Sequence, residues 1–295
     1  MLSLHTNAAS LSAQNSLSST QNKLSTSMTR LSTGFRINSA MDDAAGLQIA
    51  TRLKAQTSGM AVAMRNTQNS ISMLQTAEGA LNEVTNILTR MKDLATQSAD
   101  ASSGASDRTA MQAEFDSLSD ELSNIMSNTK FGGTSLLTDG TGKLASATGI
   151  QFQIGADSKE TMIGSFNTEL DAVHDNIVLA AKQYDGVDAT AITTAGTEIK
   201  TDTAANATIG TLSTAMDSVA ALRSKFGAVS NRLEHVYNNL SNISTNTANA
   251  TGRIMDVDFA SESAKMTSNQ MLMQAGTAML KQTNSMSSMV MSLLQ

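Results

Sequence analysis

Residues 212–243 read LSTAMDSVAALRSKFGAVSNRLEHVYNNLSNI, and their periodicity sets the expectations for the whole chain. Apolar side chains recur there in two interleaved series, each with a step of seven residues. The first series is Leu212, Val219, Phe226, Leu233 and Leu240, and the second is Ala215, Leu222, Val229, Val236 and Ile243. Their combined spacing predicts one α-helix with a continuous apolar side. Such a helix is stable only when other helices cover that side, whether they belong to the same chain or to other copies.

Two further helices of the same kind are predicted before this one. The first runs from 44 to about 99, and its densest apolar side lies over 74–95. Gly104 and the serines around it end that run, and a second helix follows through 111–125. These two helices and the helix over 212–243 together carry enough apolar surface for the three to bury one another.

Helices with a thinner apolar side are predicted at both ends of the chain. The first covers 4–31 and ends at Gly34, and a capping box at Ser39 predicts the start of the next helix. The last begins after either Asp256 or Asp258, each of which is a suitable N-cap. Neither terminal helix carries enough apolar side chains for a core of its own, so the two are expected to pair.

The middle of the chain has a different character. Residues 150–154 alternate between apolar and polar and have turn residues on either side, which predicts a small β-hairpin. Residues 185–210 are rich in Thr, Ala and Gly without a clear period, which predicts a surface loop or a short irregular segment. The predicted fold class is therefore mainly α: a long antiparallel helical bundle or coiled coil with a small β-hairpin region and paired N- and C-terminal helices.

The composition excludes several classes of function. The 295 residues include no Pro, Cys or Trp, and the absence of proline agrees with long unbroken helices. A net charge of −6, with charges of both signs scattered along the chain, lacks the basic surface that nucleic-acid binding requires. No apolar run is long enough for membrane insertion. The N-terminus has neither the basic nor the apolar region of a cleaved secretory signal, which leaves a cytosolic chain or one exported by another route.

No group of residues indicates catalysis or a cofactor. The three histidines, His5, His174 and His235, are far apart in the sequence and have no Cys nearby, so no metal site is predicted. Asp42 and Asp43 could serve as an acid–base pair, but carboxylates at a helix start more simply complement the helix dipole. We therefore expect a protein that is not an enzyme and that binds no cofactor.

Several segments closely resemble the bacterial flagellin family. They are RLSTGFRINSAMDDAAG at 30–46, LATQSA at 94–99, FQIG at 152–155, RIMDVD at 253–258, QAGT at 274–277 and VMSLL at 290–294. The chain departs from the family pattern at Met41, where a basic residue is common, and at 286–289, where many members have a proline-containing turn. The resemblance covers nearly the whole chain, because matching segments lie close to both of its ends.

The resemblance implies a structural subunit that polymerises with copies of itself into the helical filament of the bacterial flagellum, for swimming or swarming. Residues 1–43 and 256–295 then form the helices of an inner-tube domain. Residues 44–184, with the β-hairpin, and 211–255 form an outer-tube domain, and 185–210 form a short variable surface segment. The filament is extracellular, and its subunits are exported without a cleaved signal peptide.

Under this resemblance, the apolar side chains of the terminal helices make the inner-tube assembly contacts. They are Leu4, Leu11, Leu17, Leu24, Leu31, Met266, Leu272, Met273, Met279, Leu280, Leu293 and Leu294. The methionine-rich side of the last helix is expected to contact an export chaperone before assembly and neighbouring subunits afterwards. The filament cap and hook-junction proteins are further expected partners.

The resemblance also implies recognition by the flagellin-sensing Toll-like receptor of the host. Family members that this receptor detects carry four residues that match Arg90, Leu94, Gln97 and Glu114. The plainer alternative is that Leu94 belongs to the core and that the other three are simply solvated.

Two other functions compete with a filament subunit. The hook–filament junction protein is similar at the N-terminus, but residues 253–258 and the C-terminal Ser-Leu-Leu favour flagellin. A chemoreceptor-type signalling hairpin needs continuous heptads through its tip and a membrane anchor. This chain instead has glycine-rich predicted strands in its middle and no membrane span.

Overall fold

The computed structural model describes residues 7–187 and 196–293, with 286–293 as backbone only. Within that part of the chain the structure is mainly helical. The helices are α1 (Ala8–Thr33), α2 (Ala44–Ser98), α3 (Ala105–Asn128), α4 (Asn167–Ala180), α5 (Asp202–Met255) and α6 (Phe259–Leu293). The mainly α fold class predicted from the sequence is therefore confirmed.

Two short antiparallel sheets interrupt the helices. The strands are β1 (Lys130–Phe131), β2 (Thr134–Ser135), β3 (Ile150–Gln153) and β4 (Thr161–Gly164), and each sheet pairs two consecutive strands. Ile150 lies opposite Gly164 in the second sheet. Ile150 and Phe152 are buried whereas Gln151 is exposed, as their alternation predicted. The predicted β-hairpin is confirmed.

The chain forms two compact units, which are described separately. The terminal unit comprises Met1–Thr57 with Thr245–Gln295, and the central unit comprises Ser58–Ser244. The predicted domain boundaries at 43/44 and 255/256 lie where α2 begins and where α5 ends. The compact units divide instead at 57/58, within α2, and at 244/245, within α5, so each of these two helices contributes residues to both units.

The apolar side of α5 forms the centre of the core in the central unit. Its side chains at Leu212, Val219, Phe226 and Leu233 have no solvent exposure. The residues of α2 and α3 in the same cluster include Leu74, Leu81, Leu88, Phe115 and Leu122. Phe166, just before α4, packs edge-on against Phe226 with ring centroids 5.0 Å apart. The three helices thus bury one another as their heptads predicted.

The structure corrects the loop that was predicted over 185–210. Helix α5 already begins at Asp202, and the Thr201 hydroxyl caps it by accepting a hydrogen bond from the Ala204 N–H at 3.2 Å. The helical period is hard to see there because the side chains that face the core are small and partly polar. They are Ala205 and Thr208.

The residues just before α5 are also part of the core rather than of the surface. Ile199 is fully buried, and its N–H donates a hydrogen bond of 2.8 Å to the Gln112 side-chain oxygen on α3. The predicted variable surface segment stays a prediction for 185–195, of which 188–195 lie outside the described residues.

Helix α2 starts differently from the prediction. Its N-cap is Asp43, whose Oδ1 accepts a hydrogen bond of 2.8 Å from the Gly46 N–H, and not Ser39. Asp42 instead closes the preceding turn, because its Oδ2 accepts from the N–H groups of Ser39 at 2.9 Å and Asn38 at 3.2 Å. The hydrogen bonds from Ser39 are the main reason that the pKa of Asp42 lies below its ordinary value.

Two other helix ends agree with the prediction. Gly34 ends α1 in the left-handed conformation, with φ of 77°, and its N–H donates to the Arg30 carbonyl at 2.9 Å. Asp258 caps α6, since its Oδ1 accepts a hydrogen bond of 3.0 Å from the Ala260 N–H. Of the two caps proposed for the last helix, Asp258 is therefore confirmed.

Candidate assembly interface

A backbone bridge joins the end of α1 to the start of α6 within the terminal unit. Phe35 and Asp256 pair as an isolated antiparallel bridge. The Arg36 N–H donates a hydrogen bond of 2.6 Å to the Met255 carbonyl, and the Arg36 guanidinium donates one of 2.8 Å to the Ile254 carbonyl. The bridge and the Arg36 N–H bond join backbone groups, so they place the end of α1 beside the start of α6 largely independently of the neighbouring side chains.

From this bridge, α1 and α6 run antiparallel along each other. Leu17 packs against Gly276, where an added Cβ would lie 3.3 Å from the Leu17 Cδ1. Farther from the bridge, the Ser10 hydroxyl donates a hydrogen bond of 3.4 Å to Asn284 Oδ1. The predicted pairing of the N- and C-terminal helices is confirmed.

A buried carboxylate lies between the two helices. Glu262 is only 4% exposed, and its Oε1 accepts a hydrogen bond of 2.6 Å from the hydroxyl of Ser27, which is equally buried. This hydrogen bond is the main reason that the pKa of Glu262 lies below its ordinary value. Burial opposes the effect, and the positive charges of Lys265 and Arg30 add to it. The pairing of α1 with α6 thus includes a charge-assisted hydrogen bond as well as apolar contacts.

The predicted inner-tube residues differ widely in exposure. Leu24 is buried, and Leu17, Leu31, Met266, Met273 and Leu280 are half-buried. Leu11, Leu272 and Met279 are exposed by 52%, 56% and 62%. Leu4 and Leu294 lie outside the described residues, and Leu293 is described as helical backbone only. Their role in assembly stays a prediction.

Other large apolar side chains of the terminal unit are also exposed, although they are not among the predicted inner-tube residues. They include Met28 on α1, Phe35 at the bridge, and Phe259 and Met271 on α6. A signal for Met271 was present in the sequence. It directly precedes Leu272, and two adjacent apolar residues on a helix point to different sides.

The four residues predicted for receptor recognition do not form one exposed group. Arg90 on α2 donates two hydrogen bonds to Glu114 Oε1 on α3, at 2.9 Å from Nε and 2.6 Å from Nη2, and both side chains are about half exposed. Gln97 is exposed farther along α2, whereas Leu94 is only 2% exposed and belongs to the core of the central unit. Leu94 is therefore a core residue, as the plainer alternative proposed, and the use of this surface by a receptor stays a prediction.

In the part of the chain that the structure describes, no group of three or more His, Cys, Asp or Glu residues could hold a metal ion. No helix among the described residues combines the length and apolarity needed to cross a membrane.

Comparisons with known proteins identify this architecture. Residues 4–141 match the bacterial flagellin N-terminal helical region, and residues 209–294 match the bacterial flagellin C-terminal helical region. The chain is 36% identical to polar flagellin F of Vibrio parahaemolyticus serotype O3:K6 (strain RIMD 2210633) and 37% identical to flagellin of Bacillus subtilis (strain 168), and each match covers 99% of both proteins.

A solved structure agrees with the fold alone. It is a putative flagellar hook-associated protein from Vibrio parahaemolyticus, which matches with a TM-score of 0.52 and 16% identity over 73% of this chain and 100% of that one. The two helical regions and the identity over nearly the whole length of the flagellins go further than this likeness in fold. They show that the chain belongs to the bacterial flagellin family.

Proposed function

We propose that this flagellin polymerises into the flagellar filament through the sides of α1 and α6 that their own pairing leaves uncovered. The family membership makes the chain a structural filament subunit, and the proposal concerns the surface that joins the copies. The observation that carries it is the set of large apolar side chains exposed on these helices. They include Leu11 and Met28 on α1, and Met271, Leu272 and Met279 on α6.

Each of these side chains is stabilised when another copy covers it. Burial of a side chain of this size contributes about 1.5–3 kcal/mol. An antiparallel pair covers one side of each helix, whereas a helix packed among many copies has neighbours on both sides. Leu272 and Met279 are seven residues apart and therefore lie on the same side of α6. Large apolar side chains that are exposed on the same side of a helix are typical of an interaction site.

The same surface suits the partners expected before and after assembly. Methionine side chains adapt to partners of different shape, so Met271 and Met279 are suited first to an export chaperone and then to neighbouring subunits. The filament cap and the hook-junction proteins are proposed to contact subunits at the two ends of the filament. The filament is proposed to be extracellular, with subunits exported without a cleaved signal peptide.

Recognition by the flagellin-sensing Toll-like receptor of the host is a further part of the proposal. Arg90, Gln97 and Glu114 offer a polar surface, and the ion pair between Arg90 and Glu114 holds two of these side chains in fixed positions on α2 and α3. Leu94 keeps the underlying helix packed.

The assembly surface is tested by replacing Leu272 and Met279 together with glutamine, which is also a good helix former. We expect the double variant to remain soluble under conditions in which the wild-type chain forms filaments, as measured by sedimentation and electron microscopy. The matched control is Leu179→Gln on α4, because Leu179 is similarly exposed, at 65%, but lies in the central unit. Normal filaments from the double variant would exclude this side of α6 as the joining surface.

The hook–filament junction protein is the weaker alternative. The hook-associated structure supports only a similar fold, because its sequence is 16% identical to this chain. Identity of 36–37% over 99% of two flagellins favours a filament subunit. Electron microscopy also separates the two functions, since a flagellin forms long helical polymers by itself.

A further inference from the structure

The central unit contains a fully buried histidine that the filament function does not use. His174 on α4 is 3% exposed, and both of its ring nitrogens form hydrogen bonds. Nε2 lies 2.8 Å from the carbonyl oxygen of Leu137, and Nδ1 lies 2.7 Å from the hydroxyl of Tyr184. The two rings are also stacked, with centroids 5.9 Å apart and an angle of 27° between their planes.

These two contacts determine which tautomer the neutral imidazole adopts. A carbonyl oxygen can only accept a hydrogen bond, so Nε2 carries the proton and donates it to Leu137. In the neutral ring Nδ1 is then an acceptor, and the Tyr184 hydroxyl donates to it. A second ring proton would sit on Nδ1 and make both ring nitrogens donors. The Tyr184 hydroxyl would then have to turn and accept from Nδ1, and its own hydrogen would lose this acceptor at a buried position.

The surroundings favour the neutral ring on balance. Burial lowers the pKa of His174 below its ordinary value of 6.5, against the opposing effects of the Leu137 carbonyl and of the carboxylates of Asp139, Asp171 and Asp175. Burial also raises the pKa of Tyr184, with Asp139 and Asp185 acting in the same direction, so the hydroxyl keeps its proton. Asp171 and Asp175 lie on α4, whereas Asp139 and Asp185 lie in the two loops next to the pair.

The histidine connects two segments that are distant in the sequence. We call residues 136–139 and 181–187 the two-loop layer. Its segments meet directly where the Asp139 N–H donates a hydrogen bond of 3.0 Å to the Gly186 carbonyl. The backbone at Gly186 is so close to the imidazole that an added Cβ would lie 2.5 Å from Nδ1. The ring therefore fills the space under the layer and joins both of its segments to α4.

We propose that His174 is an acid-sensitive switch: uptake of a second ring proton buries a positive charge and removes the acceptor of the Tyr184 hydroxyl hydrogen, which opens residues 181–187 while the helical core stays packed. The core has its own support, because Leu170 and Ile177 on α4 are fully buried without the help of the histidine. The ligand of the switch is the proton itself. The opened residues lead directly into the segment that begins at 188.

The direction of the pH dependence follows from the neutral ring. A histidine with a lowered pKa in the folded state stabilises that state fully above the unfolded value of 6.5. The stabilisation is lost progressively as the pH falls from 6.5 through the folded-state pKa. Between these two values the opening equilibrium should increase by about tenfold for each pH unit.

Hydrogen exchange of the full-length monomer between pH 8 and pH 5 tests this proposal. After correction for intrinsic exchange rates, peptides that cover 181–187 should lose protection on acidification, and peptides from the core of α2 should not. His174→Gln should remove most of this acid response, because glutamine can donate to Leu137 and accept from Tyr184 but does not titrate. His235→Gln is the matched control, since His235 is exposed on α5, and it should respond as the wild-type chain does.

A second measurement needs no variant and so remains decisive if His174→Gln does not fold. Nitrogen-15 labelling of histidine gives signals from only three residues in the chain. The imidazole of His174 should carry its proton on Nε2 at pH 8 and titrate below 6.5. A proton on Nδ1, titration at or above 6.5, or an unchanged acid response in a folded His174→Gln variant would each overturn the proposal.

Discussion

Gly59 on α2 lies directly against Ala156, in the turn between β3 and β4, and a Cβ added at Gly59 would stand 2.7 Å from the Ala156 Cβ. Real carbon atoms do not approach so closely, so the hairpin can rest on α2 only because position 59 has no side chain. The hairpin turn is held in place from its own side as well, because the Gln153 side chain donates hydrogen bonds to the carbonyls of Gly155 at 2.9 Å and Asp157 at 2.7 Å.

We therefore expect overpacking in Gly59→Ala to destabilise the central unit by about 1–3 kcal/mol. The higher helix propensity of alanine offsets roughly 1 kcal/mol of this loss. The matched control is Gly79→Ala on the same helix, where no atom lies within 4 Å of the added Cβ. That variant should be more stable than the wild-type chain by about 0.5–1 kcal/mol. Urea unfolding followed by circular dichroism measures both changes, and equal shifts would show that the hairpin moves away at no cost.

The hydrogen bond between Ser27 and Glu262 predicts that the pairing of α1 with α6 depends on pH. Because the pKa of Glu262 is lowered on pairing, its contribution is complete above the ordinary value of 4.5. The contribution is lost as the pH falls from 4.5 through the lower value. Glu262→Gln should therefore weaken filaments near neutral pH and flatten their dissociation profile below pH 4.5, as measured by light scattering.

The control for this experiment is Glu234→Gln, because Glu234 is exposed on α5. It should leave both the stability and the acid profile of the filament unchanged. An acid profile of Glu262→Gln that matches the wild-type profile would mean that other carboxylates control the dissociation.

The sparse apolar contacts of α1 and α6 predict that both ends are largely unpaired before assembly. Much of the sequence of both helices is Ser, Thr, Asn and Gln, and the apolar side chains they do have are largely half-buried or exposed in the pair. Such helices do not offset their conformational entropy until neighbours cover them. Removal of 256–295 should abolish filaments in sedimentation and leave a cooperative thermal transition of the central unit. Pelleting filaments from the truncated chain, or full-length monomer whose ends resist proteolysis, would contradict this mechanism.

Receptor recognition through α2 and α3 predicts that Arg90→Ala reduces the potency of folded monomer in a receptor reporter assay. The substitution removes both hydrogen bonds to Glu114 and the positive charge that the receptor would contact. Arg65→Ala is a suitable control, since Arg65 is exposed elsewhere on α2. Leu94→Ala is less informative by itself, because the cavity it leaves costs about 2–5 kcal/mol. If Arg90→Ala and a folded Leu94→Ala both kept full potency, this surface would not be the site of recognition.

The sequence predicted the core of the central unit well because the stripe on α5 has a strict seven-residue period. Helix α4 was missed although Leu170, Val173 and Ile177 have helical spacing, since His174 interrupts the apolar pattern on the same side. The start of α5 was missed because Ala205 and Thr208 are buried without being strongly apolar. Small or polar core residues give no periodic signal, so their burial is decided by the neighbours they meet.

The terminal pair was predictable in kind but not in detail. The leucines and methionines of α1 and α6 indicated that each helix needs a partner, which the structure confirms. Which side faces the partner could not be predicted, because α6 has apolar residues on more than one side. The hydrogen bond between Ser27 and Glu262 could not be predicted either. A serine and a glutamate on helices with few apolar side chains are most often solvated.

The bridge between Phe35 and Asp256 has a consequence for how flagellins of different length can share one terminal unit. All residues from 36 to 255 lie between two points of the chain that backbone hydrogen bonds hold together. An insertion in a flexible loop between these points leaves the joined ends in place, and each doubling of such a loop costs only about 0.6 kcal/mol. Loops between these points can therefore gain or lose residues while the register of α1 and α6 stays the same.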